Sequence, residues 1–74
     1  MKRKEGDVVT IKSLEWYDKN KRKDGYIIHG IESFAPWMSV YCGKIAKIIK
    51  SEPDKYYIDL DRKEWIWHDW MFEI

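Results

Sequence analysis

The sequence predicts an all-β domain: a small five-stranded barrel with minor helical turns, a long loop after its first strand and a 3₁₀ turn before its last. Three observations predict it. Runs rich in β-branched or alternating apolar residues recur at "VVTIK" (8–12), "KIAKIIK" (44–50) and "YYIDL" (56–60). Turn pairs separate such runs, at Gly6-Asp7, Asp24-Gly25 and Pro53-Asp54. Finally, 74 residues hold a single domain, 1–74, whose only means of building a core is large side chains.

That last point follows from what the chain lacks. A domain of this size buries only about 60% of its unfolded surface, and small domains often add disulfides or metals. The single Cys42 has no partner in the chain, and with only His29 and His68 beside it no metal-ligand spacing exists. No metal or other cofactor is expected. Aromatic residues make up 16% of the chain, and each removes roughly 150–250 Å² from water when buried. Most of them are expected in the core. The lone cysteine suits a reducing compartment, and no apolar run is long enough for a signal peptide or a membrane span. Met1-Lys2-Arg3-Lys4 is charged but is followed by Glu5 and a glycine. The expectation is a soluble cytoplasmic protein without a membrane partner.

Each element has its own signal. In "VVTIK", Val9 and Ile11 share one face of the first strand. Ser13 is placed to cap one or two helical turns within "SLEWYDKNKRKDGY" (13–26), from which Leu14, Trp16 and Tyr17 reach back to the core. Asp24-Gly25 closes this excursion, and the short apolar "YIIHGIES" (26–33) reads as extended. In "FAPWMSVYCGK" (34–44), Pro36 suits the first position of a helix and Gly43 the position just past its end. Trp37, Met38 and Tyr41 fall at helical spacing between them.

The last thirty residues read mainly as strands. Ala46 and Ile48 share a face, and "SEPDK" turns on Pro53-Asp54. "YYIDL" points Tyr56, Ile58 and Leu60 inward, with Tyr57 and Asp59 outward. "DRK" (61–63) is a tight turn, and "EWIW" (64–67) is a further strand. "HDWM" breaks the period of two: Trp67, Trp70, Met71 and Ile74 are spaced as in a helix, which predicts a 3₁₀ turn and then a short closing strand, "FEI". The expected filling of the interior is Val9, Ile11, Ala46, Ile48, Tyr56, Ile58, Leu60, Ile66, Met71 and Phe72. Ile66 is preferred inside over Trp65 and Trp67, because an indole carries an N–H that needs an acceptor.

Charge is nearly balanced overall, at +1, but unevenly spread. Residues 1–23 carry eight basic and four acidic groups; residues 51–74 carry three basic and seven acidic. The simplest reading sets the two regions facing each other. The sharper one makes Lys19, Lys21, Arg22 and Lys23 a patch for an anionic partner.

The order of elements resembles the SH3-like small barrel. More specifically, "GDVVTIKS" (6–13), "YCGKIAKI" (41–48), "YYI" (56–58) and "WIWHDWMFE" (65–73) resemble a group of small, mostly uncharacterised bacterial and phage proteins. Those combine a G-D-x-V-x-I-x-S opening, a Y-C-G-K segment and a W-x-W-x-D-x-M-F-E ending. The resemblance covers about half of the chain and implies a fold more than a function. It implies that Trp65 and Trp67 lie on one strand face, that Asp69 starts the helical turn with its carboxylate accepting backbone N–H groups, and that Met71 plugs the barrel. On this reading Cys42 is a small buried hydrophobe and not a nucleophile. The chain departs from the pattern at Trp37, Val40 and Trp70, which add exposed apolar area.

Peptide-binding barrels of the Src-homology type place aromatics between the first long loop and the last helical turn. "EWYD" (15–18) and "HDWMF" (68–72) fall in those places, but no Pro-Ser-Asn-Tyr stands at the turn, so proline-rich ligands are not expected. Catalysis is not expected either. Asp59, Asp61 and Glu64 sit at or beside a turn, where carboxylates are solvated, and the four glycines form no phosphate loop. Two binding readings remain. One is a protein-interaction module, a phage or mobile-element product docking on a host protein through Trp16, Tyr17, Trp37, Trp65, Trp67 and Trp70. The other is a nucleic-acid binder that meets phosphates with Lys19, Lys21, Arg22, Lys23, Lys47 and Lys50 and stacks a base on a tryptophan. The acidic C-terminal third argues against a large phosphate footprint, so the protein-interaction reading is preferred.

Overall fold

The computed structural model describes residues 3–73. The charged start at Met1-Lys2 and the end of the predicted closing strand at Ile74 lie outside the described residues. β1 (Val8–Thr10), β4 (Ile45–Glu52) and β5 (Lys55–Ile58) form an antiparallel sheet in the order β1-β4-β5. The alternation read in the sequence places Val9, Ala46, Ile48, Tyr56 and Ile58 on its buried face. Pro53 and Asp54 make the two-residue turn, with Glu52 paired to Lys55 across it.

The excursion after β1 is more ordered than its polar sequence suggests. α1 (Leu14–Asn20) starts at Ser13, whose Oγ accepts the Trp16 N–H at 3.1 Å. Tyr17 is buried and its hydroxyl donates to the Gly25 carbonyl at 2.7 Å. Leu14, expected to reach the core, stays exposed. β2 (Ile27–His29) and β3 (Glu32–Phe34) then form a hairpin around Gly30 and Ile31. It is a second sheet, and it delivers Ile27 and Phe34 to the core. Pro36 opens a 3₁₀ helix, Pro36–Tyr41, which buries Met38. Gly43, at φ +81°, follows it in the left-handed region, and its N–H donates to the carbonyls of Ile11 and Lys12.

The C-terminal segment is where prediction and structure part. "EWIW" is not a strand: Trp67 alone exchanges both backbone hydrogen bonds with Tyr56, at 2.8 and 3.0 Å. The predicted 3₁₀ turn is present at Asp69–Met71, and Met71 is fully buried. Phe72 bridges Ile11, and the Glu73 N–H donates to the Thr10 carbonyl. The structure is thus a small all-β fold of two antiparallel sheets with short helical turns, and the sheets do not close into the predicted five-stranded barrel. The C-terminal segment instead spans from β5 to the end of β1 through the two single bridges.

Two of the ten expected interior residues are outside. Leu60 lies in the turn after β5, and Ile66 is 44% exposed. Trp67 takes the place assigned to Ile66, with 0% exposure. Its rings pack on Phe34, Tyr41 and Phe72 at centroid distances of 5.9, 6.0 and 6.2 Å. The reason is Asp61. Read from the sequence as a solvated turn carboxylate, it is only 5% exposed. Its Oδ2 accepts the Trp67 indole N–H at 2.9 Å and the Trp65 backbone N–H at 3.1 Å. Arg62 and Lys63, at φ 54° and 67°, turn the chain tightly enough to aim Asp61 inward. With that acceptor in place, the larger side chain wins the interior. Asp69 starts the helical turn as expected, but among the described residues its carboxylate pairs with the Arg3 guanidinium and accepts from the Tyr56 hydroxyl instead of from backbone N–H groups.

Candidate functional site

The indoles divide according to where each N–H goes. Trp67 donates to Asp61 in the core, and Trp70 donates to Glu32 Oε1 at 2.7 Å. Among the described residues, the indole N–H groups of Trp16, Trp37 and Trp65 have no acceptor in the protein, and none of them is buried. Trp67 and Tyr17 are therefore core residues, not contact surface. Trp16 and Trp70, brought together from α1 and the last turn as the sequence suggested, lie 6.2 Å apart. They are half-buried: Trp16 packs edge-on against Phe34, and the His29 ring stacks on Trp70 at 5.0 Å. This pair fastens α1 and the β2–β3 hairpin to the C-terminal segment.

Trp37 and Trp65 stand elsewhere. Trp37, second in its 3₁₀ helix, is 48% exposed. Its ring lies 5.6 Å from that of Trp65, and Tyr26 meets it edge-on at 5.7 Å and 85°. The three rings are the walls of an open groove of about 350 Å³, with Ser33, Glu64 and Ile66 also lining it. The groove depends on the Asp61 turn, which fixes the Trp65 backbone, and on Pro36, which sets the direction in which Trp37 leaves the hairpin. Tyr26 is not among the site residues that the sequence predicts. Its only local signal was the Asp24-Gly25 turn beside it, where the Asp24 carboxylate accepts the Tyr26 N–H at 3.0 Å.

The basic residues are partly engaged. Lys21 pairs with Asp18, Arg22 with Asp24 and Lys50 with Glu52, at 3.2, 3.2 and 3.3 Å. Lys19, Lys23 and Lys47 are exposed without an ion pair among the described residues. Cys42 is half-buried, and burial, helped by the Asp18 carboxylate, pushes its thiol up to about 11. Such a thiol stays protonated at neutral pH. Among the described residues no cluster of His, Cys, Asp or Glu could hold a metal ion, and no helix is long and apolar enough to cross a membrane. Comparison of the chain with protein-family models, curated proteins and solved structures finds no match.

Proposed function

We propose that this chain is a non-enzymatic protein-interaction module that docks a partner protein in the groove walled by Tyr26, Trp37 and Trp65. One observation carries the reading: two indoles, each with its N–H uncommitted, line an open groove in a domain too small to leave such area idle. Tryptophan and tyrosine in part-desolvated pockets dominate binding energy at protein surfaces. Half-buried aromatics also lose little further conformational freedom on binding. The two bridges that join the C-terminal segment to β1 and β5 support an SH3-like frame beneath this groove. The opening, middle and closing motifs support a place among small bacterial and phage proteins, with a host protein as the partner.

The nucleic-acid reading is weaker. Three of its six cations, Lys21, Arg22 and Lys50, already face carboxylates, and the aromatic groove carries Glu64 where a phosphate would pass. A pull-down from the native host, with and without nuclease, tests the choice. The expected result is a protein captured regardless of nuclease and lost with Trp37→Ala, a variant that stays folded. Capture abolished by nuclease, or unchanged in Trp37→Ala, refutes the proposal.

A further inference from the structure

The groove continues on the other side of Ile66. A second groove, about 280 Å³, is lined by Ile31, Glu32, Asp54, Lys55 and His68. The two share Ser33 and Ile66 and so adjoin, making a two-part trench on this face. Apolar side chains and Ser33 line it, and carboxylates stand along it: Glu64 in one part, and Glu32 and Asp54, with Lys55 and His68, in the other. Lys55 is already turned to Glu52, at 3.6 Å. Glu32 is engaged with Trp70 and lies 3.3 Å from His68. Neither Glu64 nor the Asp54 carboxylate has a partner among the described residues.

This deepens the interaction reading and rests on it. We propose that the trench takes an extended basic segment of the partner protein, with a lysine or arginine side chain seated against Trp37 and Trp65 and its charge facing Glu64. Indole faces attract a cation within about 6 Å of the ring centroid. The near-perpendicular Tyr26 and Trp37 rings make a corner into which a long alkyl stem fits, while its charged head stays at the acidic rim. A wholly apolar segment would cover Glu64 and Asp54 without neutralising them, which is unfavourable. A phosphate backbone would meet the unpaired carboxylates of Glu64 and Asp54, with Lys55 already turned to Glu52. The extended form follows from β3, which among the described residues has β2 on one edge and no strand on the other. Ser33, the middle residue of β3, lines both grooves. A segment laid along Ser33 and Ile66 crosses the whole trench.

The test uses the full chain, labelled with ¹⁵N, and four blocked heptapeptides of Ser and Val that differ only in the central residue: lysine, arginine, norleucine or glutamate. The lysine and arginine peptides should shift the indole N–H signals of Trp37 and Trp65, and more weakly at high salt. The norleucine peptide, of similar shape but neutral, should bind about tenfold more weakly, and the glutamate peptide weakest of all. Glu64→Gln, at an exposed position, should melt like the parent and bind the lysine peptide several-fold more weakly. Equal binding of the lysine and norleucine peptides, an unchanged affinity in Glu64→Gln, or no shift of either indole by any peptide overturns the basic occupant. The interaction reading survives these results if the captured host protein still requires Trp37, and falls with the inference if it does not.

Discussion

Removing Trp67 should unfold this domain, while removing Ile66 beside it should not. Trp67→Ala empties a fully enclosed site between Phe34, Tyr41 and Phe72. Truncating a buried tryptophan costs about 3–5 kcal/mol. The change also takes the indole donor from Asp61 Oδ2, in a carboxylate whose Oδ1 is already buried without a partner. Oδ2 keeps the Trp65 N–H, so the loss is one of its two hydrogen bonds, which adds about 1–3 kcal/mol. At about 0.05–0.15 kcal/mol per residue, a chain of 74 residues has roughly 4–11 kcal/mol in all. The loss, about 4–8 kcal/mol, takes most or all of that stability, so the variant should be unfolded or melt at a far lower urea concentration than the parent. Trp67→Phe separates the two contributions in part: it loses the N–H and the five-membered portion of the indole but keeps a six-membered ring in the site. It should remain folded but weaker by about 1–3 kcal/mol. Ile66→Ala should cost about 1 kcal/mol or less, as expected for a partly exposed site. Urea melts followed by far-UV circular dichroism measure all three. A Trp67→Ala protein with a midpoint close to the parent's would refute the placement of the indole and the role given to Asp61.

Two further predictions concern the loop beneath the groove and the lone thiol. Gly25 has φ +90°, and an added Cβ would lie 2.9 Å from Pro36 Cγ and 3.3 Å from the Tyr17 hydroxyl; Gly25→Ala should lower stability by about 2–4 kcal/mol, from backbone strain plus crowding. Gly30→Ala, with φ +67° but open space around it, should lose only about 1–2 kcal/mol, and equal melting curves for the two variants would show that Gly25 is not packed against Pro36. Cys42, raised from 9.0 to about 11, holds its proton more tightly folded than unfolded, so its contribution to stability is intact below pH 9.0 and is lost as pH rises through about 11. At pH 8 its thiolate population, and with it the rate of reaction with a disulfide reagent, should be about a hundredfold below that of the urea-unfolded chain; equal rates would refute the shift.

The parts legible in the sequence were those set by local chemistry. Alternation gave the buried face of β1, β4 and β5, Ser13 gave the start of α1, and Pro36 and Gly43 bracketed their 3₁₀ helix. The turn at Asp69–Met71 follows from a broken period of two, and the burial of Met71 agrees with what the resemblance implies. The β2–β3 hairpin was read only as extended chain, because Gly30-Ile31 is a weak turn signal beside Asp24-Gly25. The exchange of Ile66 for Trp67 had a different origin. A general preference favours isoleucine inside, and it was reversed by one carboxylate whose direction depends on two non-glycine residues in left-handed conformations. Neither residue type signals that conformation. In the same way, Trp37 and Trp65 were legible as candidates, but their meeting with Tyr26 depends on tertiary placement of the hairpin, the 3₁₀ helix and the Asp61 turn.

Core and groove are linked through the same few residues. Asp61 accepts both the Trp67 indole, which secures the core, and the Trp65 backbone, which sets one wall of the groove. Phe34 packs against Trp67 at the end of β3, and only Ala35 and Pro36 separate it from Trp37. The buried indole thus holds in place the two segments that carry the exposed ones. Trp67→Phe should therefore weaken partner binding as well as stability, because loosening the Asp61 turn frees Trp65 to move relative to Trp37. Trp37→Ala should do the reverse, weakening binding strongly while costing about 1 kcal/mol of stability, since the ring is 48% exposed and its indole N–H has no acceptor among the described residues. A Trp67→Phe variant that is destabilised yet binds like the parent would show that the groove forms independently of the core. The opening of the acidic trench would then be a property of the hairpin and the 3₁₀ helix alone.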